Sequence, residues 1–220
     1  MFQKTVVGPV KYRSKRGYDA HRFWSDRFRR YGGSLRGAGD EGLTEEENRE
    51  IYREAASVLS AYVRAEVNDL SSARLLDIGC GPGFFTGVVS DLAVTSYTGI
   101  DITDVLFPEL SRRFPQYEFV RRDVTSDTLE GEYDVVLMID VAEHIVGDTQ
   151  MAAAMANVRN VLAPGGLFVI GPLAERGRRH LFYVRFWSPD EIRQRFHGYE
   201  ERPSVRFRNG SLIGFRRAAS

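Results

Sequence analysis

Apolar side chains change their period along this chain. In TEEENREIYREAASVLSAYVRAEV, residues 44–67, Ile51, Ala55, Val58, Leu59, Tyr62 and Val63 recur every three or four positions. That spacing predicts an amphipathic helix with one buried face. Thr44 and Glu47 stand ahead of it at capping-box separation, which marks its start. From residue 73 the stripe gives way to short apolar runs near 74–78, 96–101, 117–122, 134–139 and 167–171. Helical stretches near 84–92, 104–113, 149–162 and 188–196 separate and follow them. Such alternation predicts βαβ crossovers and a mostly parallel sheet. The tail YEERPSVRFRNGSLIGFRRA breaks the pattern, because two strand-like runs flank Asn209-Gly210. That dipeptide favours a hairpin, so an antiparallel pair is expected to close the sheet. Earlier in the chain, DAHRFWSDRFRRYGGS interleaves Phe23, Trp24, Phe28 and Tyr31 with arginines. It predicts a short helix stopped at Gly32-Gly33, with loop over 37–42. Residues 1–18, polar and basic, read as a partly mobile segment.

At 220 residues the chain fits one domain with a terminal elaboration, and it is long enough to bury a substantial core. We divide it into an N-terminal helical cap, 1–70, and an α/β domain, 71–220. A hydrophobic content of 43% with 27% charged residues is that of a soluble globular protein. No apolar run approaches the roughly 18 residues of a membrane span. The N-terminal stretch also lacks the apolar core and cleavage site of a secretory signal. Cys80 is the single cysteine, which excludes an internal disulfide and a multi-cysteine zinc site and fits a cytoplasmic protein. Net charge is zero but unevenly spread. Lys4 to Arg36 holds ten basic and two acidic side chains and Ala174 to Ser220 eleven and five, leaving the middle about fourteen charges negative. Two basic ends folded over one mouth would favour an anionic substrate or a nucleic-acid backbone. A solvated arginine-rich surface explains the same counts, since 27 of the 30 basic residues are Arg.

LLDIGCGPGFFT, residues 75–86, places Gly79, Gly81 and Gly83 directly after an apolar strand. Ligands of open α/β sheets bind beyond the carboxyl ends of the strands, where a strand turns into its helix. Missing Cβ atoms let backbone approach a ligand there, and the helix N-terminus behind leaves N–H groups unpaired. A dinucleotide fingerprint would read G-x-G-x-x-G. Here the spacing is G-x-G-x-G, with Asp77 two positions ahead, and a carboxylate beside the turn suits a cationic ligand better than a pyrophosphate.

This turn resembles the first motif of the class I S-adenosylmethionine-dependent methyltransferases, and four later segments resemble that family in order. YTGIDIT ends its strand at Asp101, VRRDVT offers Asp123, YDVVLMIDVAEHI matches the fourth strand and its loop, and VRNVLAPGGLFVI matches the turn into the fifth. The resemblance covers roughly 70 to 172, with a weaker echo in FWSPDEI at 186–192. It implies a Rossmann-like fold, a seven-stranded mostly parallel sheet with an antiparallel C-terminal hairpin and N-terminal helices, and residues 71–220 as the S-adenosylmethionine-binding domain. It implies S-adenosylmethionine as cofactor and S-adenosylhomocysteine as product. The implied cofactor contacts are Asp77, Gly79, Cys80, Gly81, Gly83, Asp101 (ribose), Ile102, Asp123 (adenine amino group), Val124 and Ile139.

A sulfonium methyl is displaced by an O, N, C or S nucleophile, so positioning does most of the work. A hydroxyl acceptor also needs a base. DVAEH supplies His144, with Glu143 beside it, as catalytic candidates. Some RNA 2′-O-methyltransferases and quinone-biosynthesis O-methyltransferases show E-x-x-E-H here and bind a divalent ion. This chain has Asp140, Glu143 and His144 in that frame. Tyr183 stands where the RNA enzymes often carry a further histidine, and His180 lies three residues earlier, so no metal is assigned. No Asn-Pro-Pro-Tyr run points to a base-amino DNA methyltransferase. Substrate contacts are expected from Trp24, Tyr31, Asp140, His180 and Tyr183, on segments 18–36 and 172–187, and Arg176, Arg178 and Arg179 could pair with an anionic group. The leading expectation is methylation of a small, in one version anionic, metabolite by a monomer or homodimer. A 2′-O RNA methyltransferase, metal-assisted or not, and a non-catalytic cofactor-binding scaffold are the alternatives.

Overall fold

The structure, a computed structural model, describes residues 8–14 and 17–219. The mobility expected of the N-terminus falls partly on residues 1–7 and 15–16, outside the described residues. Gly8–Lys11 is a single helical turn, α1. Strands β1 (Arg13–Ser14) and β2 (Gly17–Tyr18) pair antiparallel. Tyr18 is buried rather than solvated.

Helix α2 (Ala20–Tyr31) runs where the aromatic–arginine segment predicts it. Asp19 caps its start by accepting the Arg22 N–H, and Gly32 ends it at φ +55° by donating to the Phe28 carbonyl. The expected loop after it contains a short helix, α3 (Leu35–Ala38), capped by Ser34. Helix α4 (Glu45–Glu66) has the full Thr44–Glu47 capping box, worth about 1 kcal/mol. Its buried face carries Tyr52 along with Ala55, Leu59, Tyr62 and Val63, while Ile51 is 37% exposed. The face is thus turned by one residue from the simple apolar stripe, and Tyr52 reaches the end of the sheet where the candidate site lies.

The sheet is built from β3 (Arg74–Ile78), β4 (Ser96–Asp101), β5 (Glu118–Arg121), β6 (Tyr133–Ile139), β7 (Leu162–Leu173), β10 (Glu200–Glu201), β11 (Val205–Phe207) and β12 (Gly210–Arg216). Seven strands form one path, β10-β12-β7-β6-β3-β4-β5, and β11 joins β12 off that path. Pairings from β7 to β5 are parallel, and those of β12 are antiparallel. Helices α5 (Phe84–Asp91), α6 (Phe107–Arg113) and α7 (Asp148–Val161) connect the strands. The strand pairing of β7 extends back to Leu162, ahead of an irregularity at the Pro-Gly-Gly turn. A separate hairpin, β8 (Arg178–Leu181) and β9 (Val184–Phe186), follows β7 and leads to α8 (Pro189–Arg193).

One apolar layer joins α4 and α5 to the sheet through Leu59, Val63, Leu75, Val89, Val135 and Leu137. The other joins α7 and α8 to it through Val136, Met138, Met151, Met155, Phe168 and Trp187. Each such buried aliphatic side chain is worth about 1.5–3 kcal/mol over exposure. Because α4 shares its layer with β3, it is a structural wall of the sheet.

The C-terminal hairpin departs from its predicted turn. Phe207 pairs with Gly210, so the turn is Arg208-Asn209 and not Asn209-Gly210, with Arg208 itself at φ +51°. A Cβ on Gly210 would strike the Leu173 carbonyl, which keeps that glycine in the strand. Gly83 is held at φ +75° with its missing side chain filled by Leu110. Gly83→Ala therefore combines left-handed strain with overpacking, and should lower unfolding stability by about 2–5 kcal/mol in urea titration. A change below 0.5 kcal/mol would contradict this packing.

Candidate active site

The chain leaves β3 at Ile78 and turns back through 79–83 into α5. Gly79 and Cys80 both donate their N–H to the Ile100 carbonyl, at 2.7 and 3.0 Å. Gly81 donates to Asp101 Oδ2 at 3.0 Å, and Thr103 N–H donates to Oδ1 at 3.1 Å. The turn is thereby fastened to the end of β4. Gly79 sits at φ +79°, and a Cβ there would run into Val141. Gly81 differs, since a Cβ would meet nothing nearer than 3.8 Å. Its missing side chain opens onto a cavity of about 430 Å³, in the size range of small-ligand sites.

This cavity lies beyond the carboxyl ends of β3, β4 and β6, where the chain switches direction across the sheet. Gly79, Cys80, Gly81, Asp101, Ile102, Asp123, Val124 and Ile139 line it. Asp77 and Gly83 do not. The Asp77 carboxylate is buried behind the turn, where it accepts from the Tyr97 hydroxyl at 2.8 Å. Thr86 donates to Tyr97 in turn. Burial raises the Asp77 carboxyl to about 6, with Tyr97 pulling it down and Asp101 pushing it up. Burial likewise raises Asp101 to about 6, against the N–H groups of Thr103 and Gly81. Asp123 Oδ1 accepts from Thr125, both N–H and hydroxyl, so it organises its own loop while facing the cavity. The Cys80 thiol is buried and pushed well up by burial and the neighbouring acids.

The acceptor end is walled by α2 and the loop after β6. Trp24, Tyr18 and Phe28 line it with His144. The Trp24 and His144 rings meet edge-on at 4.8 Å. Ser25 ties α2 to the loop after β4 through Thr103, 2.9 Å. Phe23 packs on Tyr183 at 4.6 Å, which locks α2 against the β8–β9 hairpin. The two segments outside the sheet thus meet each other over the site. Tyr31 does not reach the cavity; it lies among Arg27, Arg30 and Arg36 and donates to Glu41. His180 is exposed and stacked on Phe186. Tyr183 stands behind the wall and acts through its backbone.

That backbone fixes His144. Nδ1 lies 3.0 Å from the Tyr183 carbonyl, and a carbonyl only accepts, so Nδ1 carries the proton and Nε2 keeps its lone pair. Tyr18 donates to the His144 carbonyl at 3.0 Å. Burial pushes the imidazole down to about 4, with the Tyr183 carbonyl opposing, so the ring is neutral at pH 7.

Asp140 also lines the cavity, as do Tyr52 and Phe84. Its Oδ2 accepts from Arg208 at 2.6 Å. Arg208 comes from the C-terminal hairpin turn, and its guanidinium lies over the Tyr52 ring at 4.2 Å. Glu143 is behind the cavity wall, with Oε2 buried and unpartnered. Burial and the Asp140 charge push its carboxyl up, toward the neutral form. Asp140, Glu143 and His144 do not converge. Among the described residues no three His, Cys, Asp or Glu side chains are grouped to hold an ion. Arg176, Arg178 and Arg179 also lie off the cavity. Among the described residues that line it, only Arg122 is a lysine or arginine.

A glycine turn bonded to a buried carboxylate on the adjacent parallel strand, with a cavity at the switch point, is the arrangement by which open α/β sheets hold a nucleoside-containing cofactor. Residues 76–168 match a methyltransferase domain family. A ubiquinone biosynthesis O-methyltransferase of Caulobacter sp. (strain K31) is 31% identical over 144 residues, 54% of this chain and 56% of that protein. A squalestatin hexaketide synthase of Phoma sp. is 29% identical over 145 residues, 59% of this chain and 6% of that protein. The chain thus spans about half of the one relative and a small fraction of the other. Among solved structures, S-adenosylmethionine-bound CalS10, an amino pentose methyltransferase from Micromonospora echinaspora, superposes with a TM-score of 0.65 at 19% identity, covering 80% of this chain and 98% of that one. Magnesium protoporphyrin IX methyltransferase from Synechocystis, with bound S-adenosylhomocysteine, gives 0.65 at 17%, covering 88% and 94%. Residues 76–168 are thus similar to a methyltransferase domain, and the chain shares the fold of solved S-adenosylmethionine-dependent methyltransferases.

The cavity fits S-adenosylmethionine, with an open glycine turn at Gly81 and Asp101, Asp123 and Asp140 on its walls. Loading Asp101 with a proton removes its charge and part of its acceptor capacity. S-adenosylhomocysteine affinity measured by calorimetry should therefore fall as pH drops through about 6, by up to about tenfold per unit, and be flat above 7. Asp101→Asn should shrink the step, the remainder belonging to Asp140, which also lines the cavity and is raised by burial to about 6, while Asp77→Asn retains it. A wild-type profile flat from pH 5 to 8 would contradict the assignment.

Proposed function

We propose that this chain methylates an oxygen or nitrogen of a small molecule, using S-adenosylmethionine, with His144 receiving the proton of a hydroxyl acceptor. The observation that carries this reading is the Tyr183 carbonyl on His144 Nδ1, which leaves Nε2 as the base at the acceptor end of the cavity. When bound, the cofactor supplies an electrophilic methyl group. The residues do the rest. Asp101 and the loop of Asp123 hold the adenosine, and Trp24, Phe28 and Tyr18 exclude water and orient the acceptor's apolar face. His144 is neutral near pH 7 and takes the acceptor's proton as its oxygen becomes the nucleophile. Glu143, buried behind the wall, supports that loop and does not touch the acceptor.

Two observations favour a neutral or apolar acceptor over a polyanion. Among the described residues the cavity is lined by Asp19, Asp101, Asp123 and Asp140 against Arg122, and several arginines of the chain ends are drawn into pairs with the acidic middle. Arg202 and Arg216 meet Glu66 at 2.7 and 3.3 Å, and Arg185 meets Asp148 at 2.9 Å. Gripping of an RNA backbone has no comparable support. Among the described residues no helix is long and apolar enough to cross a membrane.

The test is incubation of the purified protein and isotopically labelled donor with a metabolite extract and, separately, with total RNA. Label should enter a small molecule and not RNA; labelled RNA alone would overturn the reading. With the acceptor in hand, His144→Ala should reduce kcat about 10²–10⁴-fold and leave S-adenosylhomocysteine affinity within twofold. A near-normal rate would remove the base from the mechanism and point to an amine acceptor that arrives uncharged.

A further inference from the structure

Helix α2 turns an aromatic edge toward the cavity. Trp24 and Phe28 are four positions apart on it, so they stand on one face, a turn apart. Both line the cavity with His144. Phe28 reaches the glycine turn, since its ring tip lies 3.9 Å from where a Cβ on Gly81 would stand. Trp24 follows at 5.5 Å from Phe28, with the two rings tilted by 39°, and meets His144 at 4.8 Å. The three rings form a strip that runs from Gly81 to His144.

The polar atoms along this strip are already engaged. The Tyr18 hydroxyl donates to the His144 carbonyl at 3.0 Å, and the Trp24 N–H donates to that same hydroxyl. His144 Nδ1 is held by the Tyr183 carbonyl, and Phe28 has no polar side-chain atom. Donors on these four side chains are thus spent, and Nε2 of His144 is the acceptor they keep. Sugar hydroxyls laid here would lose water without finding a donor. A flat aromatic ring suits the strip, because aromatic pairs hold at centroid separations of about 4.5–7 Å in offset or edge-on contact. The polar lining near α2 lies at its start, where Asp19 Oδ1 accepts the Arg22 N–H and His21 is exposed. The helix therefore offers solvent its first turn and the glycine turn its rings.

The base sets the same limit. Burial pushes the His144 imidazole down to about 4, so it holds a proton weakly. An aliphatic hydroxyl, with an acidity near that of water at about 15.7, yields its proton to such a base far less readily than an aromatic hydroxyl at about 10.

We propose that the acceptor is a planar aromatic hydroxyl compound, a phenol, laid along the Phe28–Trp24 strip with its hydroxyl on Nε2 of His144. The assignment rests on the S-adenosylmethionine reading above and narrows it from oxygen or nitrogen acceptors to one class. His144 takes the phenolic proton, and an oxygen lone pair forms the bond to the methyl carbon as the carbon–sulfur bond breaks onto sulfur. The products are an aryl methyl ether and S-adenosylhomocysteine, and the imidazolium returns its proton to water.

The test compares aromatic and saturated alcohols of one skeleton, phenol against cyclohexanol and 2-naphthol against decahydro-2-naphthol, with methyl glucoside as the sugar probe. Each is titrated by calorimetry into the full chain saturated with S-adenosylhomocysteine. The aromatic member of at least one pair should bind about three- to tenfold more tightly than its saturated partner, the worth of an aromatic pair beyond burial, and the glucoside more weakly than either. Trp24→Ala should abolish that preference, Trp24→Phe should keep most of it, and both should leave S-adenosylhomocysteine affinity within twofold. Equal or tighter binding of the saturated partners or the glucoside, binding of no probe at millimolar concentration, or a preference unchanged in Trp24→Ala would overturn the assignment. A second readout needs no variant: the labelled product formed from the metabolite extract should be an aryl methyl ether. Label on a sugar, an aliphatic alcohol or an amine would overturn the phenol assignment and leave methyl transfer itself standing. Failure of wild type to bind S-adenosylhomocysteine would instead remove the cofactor reading, and this assignment with it.

Discussion

The structure depends on the closure of the 79–83 turn onto the end of β4. Three consecutive amides are committed there, those of Gly79 and Cys80 to the Ile100 carbonyl and that of Gly81 to the Asp101 carboxylate. A carboxylate so buried is costly unless hydrogen-bonded, and the Gly81 and Thr103 N–H groups supply that compensation. The same bonds hold the turn in left-handed backbone and fix where Gly81 opens onto the cavity. Val141 and Leu110 fill the space that side chains at 79 and 83 would need. Thus the glycines at 79 and 83 answer mainly to packing, while the one at 81 leaves room for a ligand.

Around that fixed point the cavity is assembled from distant parts of the chain. Segment 18–31 and the β8–β9 hairpin pack together through Phe23, Phe182 and Tyr183, and through Tyr18 and Tyr183 they hold His144 from both sides. The C-terminal hairpin reaches Asp140 from behind the cavity wall through Arg208. Part of the uneven charge of the chain is met within the fold, where Arg185, Arg202, Arg208 and Arg216 of the basic C-terminal part pair with Asp148, Glu66 and Asp140 of the acidic middle. Among the described residues the cavity is lined by four aspartates, Asp19, Asp101, Asp123 and Asp140, and by a single arginine, Arg122.

Much of this was legible in the sequence. Alternating runs located β3 to β7 and their helices, because βα periodicity is local. The G-x-G-x-G spacing located the turn, and the acids ending β4 and following β5 located two cavity positions. Tyr52 was missed because an apolar stripe ranks Ile51 above it, whereas the ring is buried under a guanidinium. The hairpin turn was placed at Asn209-Gly210 by its local preference, but an ion pair across 68 residues moved it to Arg208. Tyr31 and His180, read as pocket residues from their segments, fall on outward faces. Tyr183 enters through its carbonyl, for which no side-chain pattern gives a signal.

The central claim is most directly tested by a crystal structure of the chain with S-adenosylhomocysteine. The account predicts ribose hydroxyls within hydrogen-bond distance of the Asp101 carboxylate, the base beside Asp123 and Val124, and the sulfur over the glycine turn with His144 on its acceptor side. A ligand bound elsewhere, or bound in this cavity with its ribose away from Asp101, would contradict it.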